Sequence, residues 1–299
     1  MKSQVYAMPG NEMLAAALAG GTGAEQGILE YRKFPDLESY LRFHGDVARR
    51  NTVLACSLHD PDSKTLPLLL AAAALRDLGA ASVGLVAPYL AYMRQDRRFK
   101  DGEAVTSLAF ARLLSGAFDW IATIDPHLHR YVSMAEIYSV PVLVGHATPV
   151  LVDYLRQRSG KVFLVGPDEE SDQWVSSVAK AAEAPYVTLR KTRRGDNDVS
   201  VDFPELAQFR GLAPVLIDDI ISSGHTMQVA VEKLVALGFG QPVCLAAHGI
   251  LAADAMERLK AAGAVIVTTN TIPGPTAALD VNPLLAELTK PKLFERSIP

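Results

Sequence analysis

Val215-Leu216-Ile217-Asp218-Asp219-Ile220-Ile221-Ser222-Ser223-Gly224-His225-Thr226 is the stretch on which the reading of this chain turns. An apolar, β-branched run ends in two adjacent carboxylates, passes through a loop of small residues, and enters a segment of helical composition over 227–237. That order suits a sugar phosphate. Backbone N–H groups in a tight loop and at a helix start face an anion, and the hydroxyls of Ser222, Ser223 and Thr226 add donors. Asp218 and Asp219 can accept short, charge-assisted hydrogen bonds from vicinal sugar hydroxyls. The plainer reading is an ordinary strand-loop-helix turn whose Asp pair caps the helix. A single acidic pair at a strand end is common, and the ordered run around it favours the ligand reading.

Outward from this stretch, short β-rich runs alternate with helix-length segments. Strands are expected over 53–56, 83–87, 120–124, 162–165, 215–217, 243–246 and 265–268. Helices are expected over 66–78, 107–114, 172–184, 227–237 and 254–262, with an amphipathic helix from Met13 and another from Val150. Near-continuous apolar strands between helices imply an α/β fold whose parallel sheets are buried on both faces. Gly79, Gly238 and Gly263 stand where left-handed C-caps fall. The pattern breaks near Pro141 to Pro149, which divides the chain into halves of similar size. Residues 191–202 are polar, charged and glycine-containing, as in a mobile loop.

Composition narrows the class. A hydrophobic content of 49% with 21% charged residues describes a globular protein rather than a disordered one. The net charge of −4, without a basic run, gives no reason to expect a nucleic-acid partner. Residues 13–20 resemble a signal-peptide core, but Glu12 interrupts its start; residues 66–75 are apolar but too short to span a bilayer. No membrane partner is expected. Cys56 and Cys244 each lie in an apolar run and read as buried free thiols of a cytoplasmic protein.

A second feature is Ala87-Pro88-Tyr89-Leu90-Ala91-Tyr92-Met93-Arg94-Gln95-Asp96-Arg97-Arg98-Phe99. Arginine forks bind polyphosphate oxygens in pairs, although by itself the cluster also fits a solvated turn paired to Asp96 and Asp101. The two features together resemble the ribose-phosphate pyrophosphokinases, which share their sugar-phosphate loop with type I phosphoribosyltransferases. The wording of the second motif and the short chain are similar to archaeal-type members. The resemblance implies two doubly wound parallel-sheet domains of phosphoribosyltransferase-like type, arranged as a pseudo-duplication. Residues 1–146 would form an ATP-binding domain on which the tail 284–299 packs back, and residues 147–283 a ribose-5-phosphate-binding domain.

Residue by residue, the resemblance implies that Arg94, Gln95, Asp96 and Arg97 contact ATP. Asp218, Asp219, Ser222, Ser223, Gly224, His225 and Thr226 would hold ribose 5-phosphate, with Ser223 in place of a threonine and His225 in place of a glycine. In Ile124-Asp125-Pro126-His127, the imidazole of His127 would bind Mg2+; a structural histidine is the other reading, since magnesium prefers oxygen. Asp168 of Gly166-Pro167-Asp168 would serve the metal or the ribose phosphate, or else cap a helix; Glu169-Glu170-Ser171-Asp172 follow where the family has glycines. Lys191 and Arg193 match a catalytic loop whose cations stabilise the transferred group. Phe34, Asp36 and Glu38 resemble an adenine-binding segment supplied by a neighbouring subunit, hence a homo-oligomer; Leu37 replaces its glycine, and a hydrophobic anchor beside exposed acids is the alternative.

The expected activity is magnesium-dependent transfer of the β,γ-diphosphoryl group of ATP to ribose 5-phosphate. A non-catalytic regulatory homologue and a type I phosphoribosyltransferase are the rivals. The altered glycines at Leu37, Glu169 and His225 keep the first rival open, against which every matched charged catalytic position is present, and the arginine run argues against the second.

Overall fold

The computed structural model describes residues 3–158, 161–193, 199–202 and 205–295, which form two compact units. The first unit comprises residues 1–145 and 282–299, the second residues 146–281.

The first unit is built on β1 (Ser3–Ala7), β2 (Glu25–Gln26), β5 (Asn51–Ala55), β6 (Ser82–Val86), β7 (Trp120–Ile124) and β8 (Val142–Gly145), with α1 (Glu12–Thr22), α2 (Pro61–Asp77) and α3 (Thr106–Ala117) between them. Its sheet runs β2-β1-β5-β6-β7-β8, every pair parallel. Between β2 and β5 a separate antiparallel hairpin is inserted, β3 (Ile28–Lys33) and β4 (Ser39–His44). β5 and β7 are buried along their whole length, as two-sided coverage requires. The C-terminal helix Asn282–Phe294 packs on α1, where Gly21 leaves room: a Cβ there would stand 2.6 Å from the Ala286 methyl. Asn51 Nδ2 secures that helix by donating to the carbonyls of Leu293 and Glu295, both at 2.9 Å. Residues 296–299 of the expected tail lie outside the described residues.

The second unit repeats this plan with α4 (Thr148–Gln157), β9 (Val162–Gly166), α5 (Asp172–Ala182), β10 (Tyr186–Thr188), β11 (Arg190–Arg193), β12 (Val199–Asp202), β13 (Ala213–Ile221), α6 (His225–Ala236), β14 (Val243–Gly249), α7 (Ala255–Ala261), β15 (Val265–Thr269) and β16 (Ala277–Leu279). Its parallel sheet runs β10-β9-β13-β14-β15-β16, and its hairpin, β11–β12, again falls between the second and third sheet strands. Numbered by their own order along the chain, both sheets read 2-1-3-4-5-6. The expected pseudo-duplication is therefore present in topology. Phe163 stacks on Phe209 at 4.7 Å beneath β13, in a core completed by Leu216, Val231, Leu234 and Cys244. Each such apolar side chain contributes about 1.5–3 kcal/mol by leaving water.

Three expectations need correction. Residues 191–202 are not a loop throughout: Arg190–Arg193 pairs antiparallel with Val199–Asp202, and residues 194–198 lie outside the described residues. Arg190–Arg193 is wholly polar and each strand has only four residues, too short for an alternation to stand out. α2 begins at Pro61, not at Leu66, because Pro67 sits inside the helix rather than near its start. The region around Pro141 to Pro149 also holds a strand, β8, whose residues Val142, Leu143 and Val144 stay partly exposed, while the division between the units falls inside that region, between residues 145 and 146. The glycine caps are as expected, with Gly79, Gly238 and Gly263 at φ of 84°, 77° and 100°. Cys56 and Cys244 are buried free thiols, pushed up to about 12 by desolvation. Among the described residues no helix is long and apolar enough to cross a membrane.

Candidate active site

In an open parallel sheet, ligands bind beyond the carboxyl ends of the strands, where the strand order reverses. In the second unit that switch lies between β9 and β13, so the residues following these two strands face one crevice. β9 delivers Gly166-Pro167-Asp168, and β13 delivers Asp218, Asp219 and the loop through Ser222 and Ser223.

Burial of Val215, Leu216 and Ile217, all at 0% exposure, fixes β13 and carries the acidic pair to the edge. Asp219 N–H donates to the Asp218 carboxylate at 2.9 Å. Asp218 is raised well above the usual carboxylate range, first by burial and then by the charges of Asp219 and Asp168. A group so placed gains from any hydroxyl donor or cation that enters. Gly224 makes the turn into α6 at φ 67°, ψ 2°, and a Cβ there would also press on Leu259 at 3.2 Å. The helix starts at His225, two residues before the expected Met227, so His225 and Thr226 belong to its first turn, whose N–H groups have no intrahelical acceptor. The His225 side chain is exposed.

Asp168 caps the one-turn 3₁₀ helix Glu169–Ser171: its Oδ1 accepts from Ser171 N–H at 3.2 Å, and Ser171 Oγ donates to the Asp168 carbonyl at 2.6 Å. Of the residues that stand where the family has glycines, Glu169–Ser171 form this turn and Asp172 opens α5. Glu169 meets Arg190 at 3.5 Å on the surface, and Asp172 accepts from Thr188 Oγ1 at 2.6 Å. Asp168 thus caps this turn with one oxygen, and its charge also bears on Asp218. Lys191 and Arg193 lie on β11, opposite Val201 and Val199.

In the first unit, the segment after β6 holds the arginine cluster. Arg94 and Arg97 are exposed, and Arg97 lies over the Phe99 ring at 4.7 Å. Asp96 differs: it is buried, and Arg130 Nη1 donates to both its oxygens at 2.9 and 3.0 Å. Tyr131 Oη donates to the Asp96 carbonyl at 3.2 Å, and Ser107 N–H to the Gln95 carbonyl at 3.3 Å. Asp96 thus anchors the loop from within, a role the sequence motif did not suggest. Arg130 had no motif to mark it. His127, after β7, is half-buried with its ring 3.9 Å from that of His129.

Phe34, Asp36 and Glu38 occupy the exposed tip of the β3–β4 hairpin. Leu37 N–H donates to the Phe34 carbonyl at 2.9 Å and Phe34 N–H to the Glu38 carbonyl at 2.8 Å, closing the turn with Leu37 at φ 71°. Arg32 lies over the rings of both Phe34 and Tyr40, at 4.6 and 4.2 Å. His248, which carried no expected chemistry, is buried and bonded to Thr271 Oγ1 at 2.8 Å.

Two doubly wound sheets, one with a hydroxyl and glycine loop behind an acidic pair at its switch point, define a protein of the phosphoribosyltransferase type. Residues 3–117 match the N-terminal domain of ribose phosphate pyrophosphokinase, and residues 133–271 match the phosphoribosyl transferase domain. Ribose-phosphate pyrophosphokinase of Thermococcus kodakarensis is 33% identical over 268 residues, 89% of this chain and 93% of that one. The Methanopyrus kandleri protein of the same name is 32% identical over 277 residues, 92% of this chain and 94% of its own. The crystal structure of phosphoribosylpyrophosphate synthetase from Mycobacterium smegmatis shares the fold, with a TM-score of 0.86 at 24% identity over 98% of this chain and 99% of that one. The chain belongs to the ribose-phosphate pyrophosphokinase family.

Proposed function

We propose that this chain transfers the β,γ-diphosphoryl group of ATP to the 1-hydroxyl of ribose 5-phosphate, giving phosphoribosyl pyrophosphate and AMP for nucleotide biosynthesis. The observation that carries the reading is the loop after β13: buried strand, half-buried acidic pair, left-handed Gly224, then a helix start, all at the switch point of the sheet. Family membership supports it, since the named relatives are ribose-phosphate pyrophosphokinases.

In this reading the loop 222–226 holds the 5-phosphate through backbone N–H groups and the hydroxyls of Ser222, Ser223 and Thr226, with His225 on its outer side. Asp218 and Asp219 accept from the ribose hydroxyls, and the raised pKa of Asp218 makes such a donor welcome. Arg94 and Arg97 bind the polyphosphate, Gln95 adds neutral hydrogen bonds, and Asp96 contributes by anchoring that loop. Phe34, Asp36 and Glu38 meet adenine from a neighbouring copy, which requires at least a dimer. The 1-hydroxyl oxygen attacks the β-phosphorus; the bond from that phosphorus to the oxygen shared with the α-phosphate breaks, AMP leaves with that oxygen, and the hydroxyl proton is lost to solvent or base. Lys191 and Arg193 stabilise the charge that develops on the transferred group.

The carboxylates of Asp219 and Asp168 lie close enough to Asp218 to raise its proton affinity, and the three form the oxygen-rich surroundings that suit a hard divalent cation. His127 in the first unit and Asp168 in the second are each read as Mg2+ ligands, and the ion when bound would neutralise polyphosphate charge. A cytoplasmic location fits both the substrates and the two free thiols.

The test is incubation of the purified chain with ATP, magnesium and ribose 5-phosphate, with the nucleotides resolved. AMP formed only when ribose 5-phosphate is present supports diphosphoryl transfer. ADP would instead indicate a monophosphoryl kinase, and no turnover with ATP bound would return the regulatory homologue.

A further inference from the structure

Three successive carbonyls of the phosphate loop are held from one side. Leu251 N–H donates to the Ile221 carbonyl at 2.9 Å, Ala252 N–H to the Ser222 carbonyl at 3.1 Å, and Arg258 Nη2 to the Ser223 carbonyl at 2.7 Å. In a trans peptide the C=O and the N–H of the next residue point in opposite directions. Fixing these carbonyls therefore turns the N–H groups of Ser222, Ser223 and Gly224 toward the other side, in the manner of an anion nest.

Arg258 is built for this. Its Nε donates to Asp254 Oδ1 at 2.9 Å, its Nη1 to Gln228 Oε1 at 2.8 Å, and its Nη2 to the loop. Gln228 is itself oriented by donating to Glu232 at 2.8 Å. Because the guanidinium is a rigid plane, two braced nitrogens fix the third. The segment beside it carries two non-glycine residues in the left-handed region, Leu251 at φ 47° and Ala253 at φ 53°. Such backbone persists only where surrounding contacts impose it.

We infer that Arg258 is a positioning residue for the phosphate loop: with residues 251–252 it sets the peptide planes of residues 221–224 to receive a phosphate monoester, and it touches no substrate itself. The inference rests on the reading of this loop as the ribose 5-phosphate site. A role confined to tying α7 to α6 would lower stability and leave substrate affinity alone.

The test titrates the protein with ribose 5-phosphate and, separately, with ATP, for wild type, Arg258→Ala and Arg258→Lys, alongside melting curves and steady-state kinetics. Loss of one charge-assisted bond predicts about tenfold weaker ribose 5-phosphate binding in Arg258→Ala, a matching rise in its KM, and unchanged ATP affinity. Arg258→Lys keeps the charge but not the fork and should fall between. If Arg258→Ala does not fold, Gln228→Ala and Asp254→Asn each loosen one brace and should weaken ribose 5-phosphate alone by about two- to threefold. Wild-type affinity for ribose 5-phosphate in every folded variant overturns the inference while leaving the site assignment intact. A wild type that ignores ribose 5-phosphate overturns the site assignment, and the inference with it.

Discussion

Asp219 donates its backbone N–H to the side chain of Asp218 while its own carboxylate charge raises the proton affinity of that neighbour. The Asp218 carboxyl is thus raised in the folded chain relative to its unfolded value. For an acid this means the folded state holds the proton more tightly, so stability declines as pH rises from the usual carboxylate value through the raised one. Asp218→Asn removes the charge and keeps the acceptor oxygen. It should raise Tm by a few degrees at neutral pH, with the gain shrinking toward pH 4, and it should reduce ribose 5-phosphate turnover severely. Melting curves across pH check the first part; an unchanged or lower Tm at pH 7 would refute it.

Arg94 and Asp96 are two residues apart and should respond oppositely. Arg94 is exposed, so Arg94→Ala should change stability by no more than about 0.5 kcal/mol while raising the KM for ATP. Asp96 is buried beneath Arg130, so Asp96→Ala removes the loop anchor and should destabilise by about 1–3 kcal/mol. Its KM for ATP should also rise, and Asp96→Asn, which retains an acceptor, should recover part of both losses. Denaturant melts with ATP kinetics separate the two; equal melts for both alanine variants would contradict the anchoring role.

Leu37 holds a left-handed conformation at the hairpin tip, where the family pattern has glycine. That backbone costs a branched residue about 1–2 kcal/mol, part of which glycine gives back as unfolded-chain entropy. Leu37→Gly should therefore tighten the turn by up to about 1 kcal/mol. Slower hydrogen exchange at Phe34 N–H, which bonds Glu38, is the expected readout. Faster exchange would mean that the leucine side chain supports the turn.

What was legible in the sequence was what the core enforces. Strands such as 120–124 are buried throughout and so read as continuous apolar runs. β1 escaped because it begins with Ser3 and Gln4, polar residues that are nonetheless buried. The hairpins escaped for different reasons. β11 is wholly polar, whereas β3–β4 does alternate, with Leu29, Tyr31, Leu41 and Phe43 on one face, but charged residues interrupt both of its strands. The duplication lies in backbone topology, with no shared side-chain pattern to reveal it. Site residues that follow strands stood out in order, but their supports did not. Arg130 meets Asp96 across 34 residues and Arg258 meets Ser223 across 35, separations at which no local periodicity operates. The cap at Asp168 is one of its two sequence readings, but the charge it places on Asp218 from 50 residues away is not legible.

Lys191 offers the sharpest separation of binding from chemistry. It lies on β11, one strand of a hairpin placed between the second and third strands of its sheet, as β3–β4 is in the first unit. A cation that acts on developing charge strengthens its interaction only as the transition state forms, so its removal lowers kcat rather than ground-state affinity. Lys191→Ala should reduce kcat by about 10²- to 10³-fold, the usual loss for one electrostatic stabiliser. Direct titration should show ribose 5-phosphate binding as in the wild type, because the loop after β13 and its braces remain intact. Lys191→Arg preserves charge on a different head group and should restore only part of the rate. Normal turnover in Lys191→Ala would remove the assignment. A loss of ribose 5-phosphate affinity equal to the loss of kcat/KM would make Lys191 a binding residue instead.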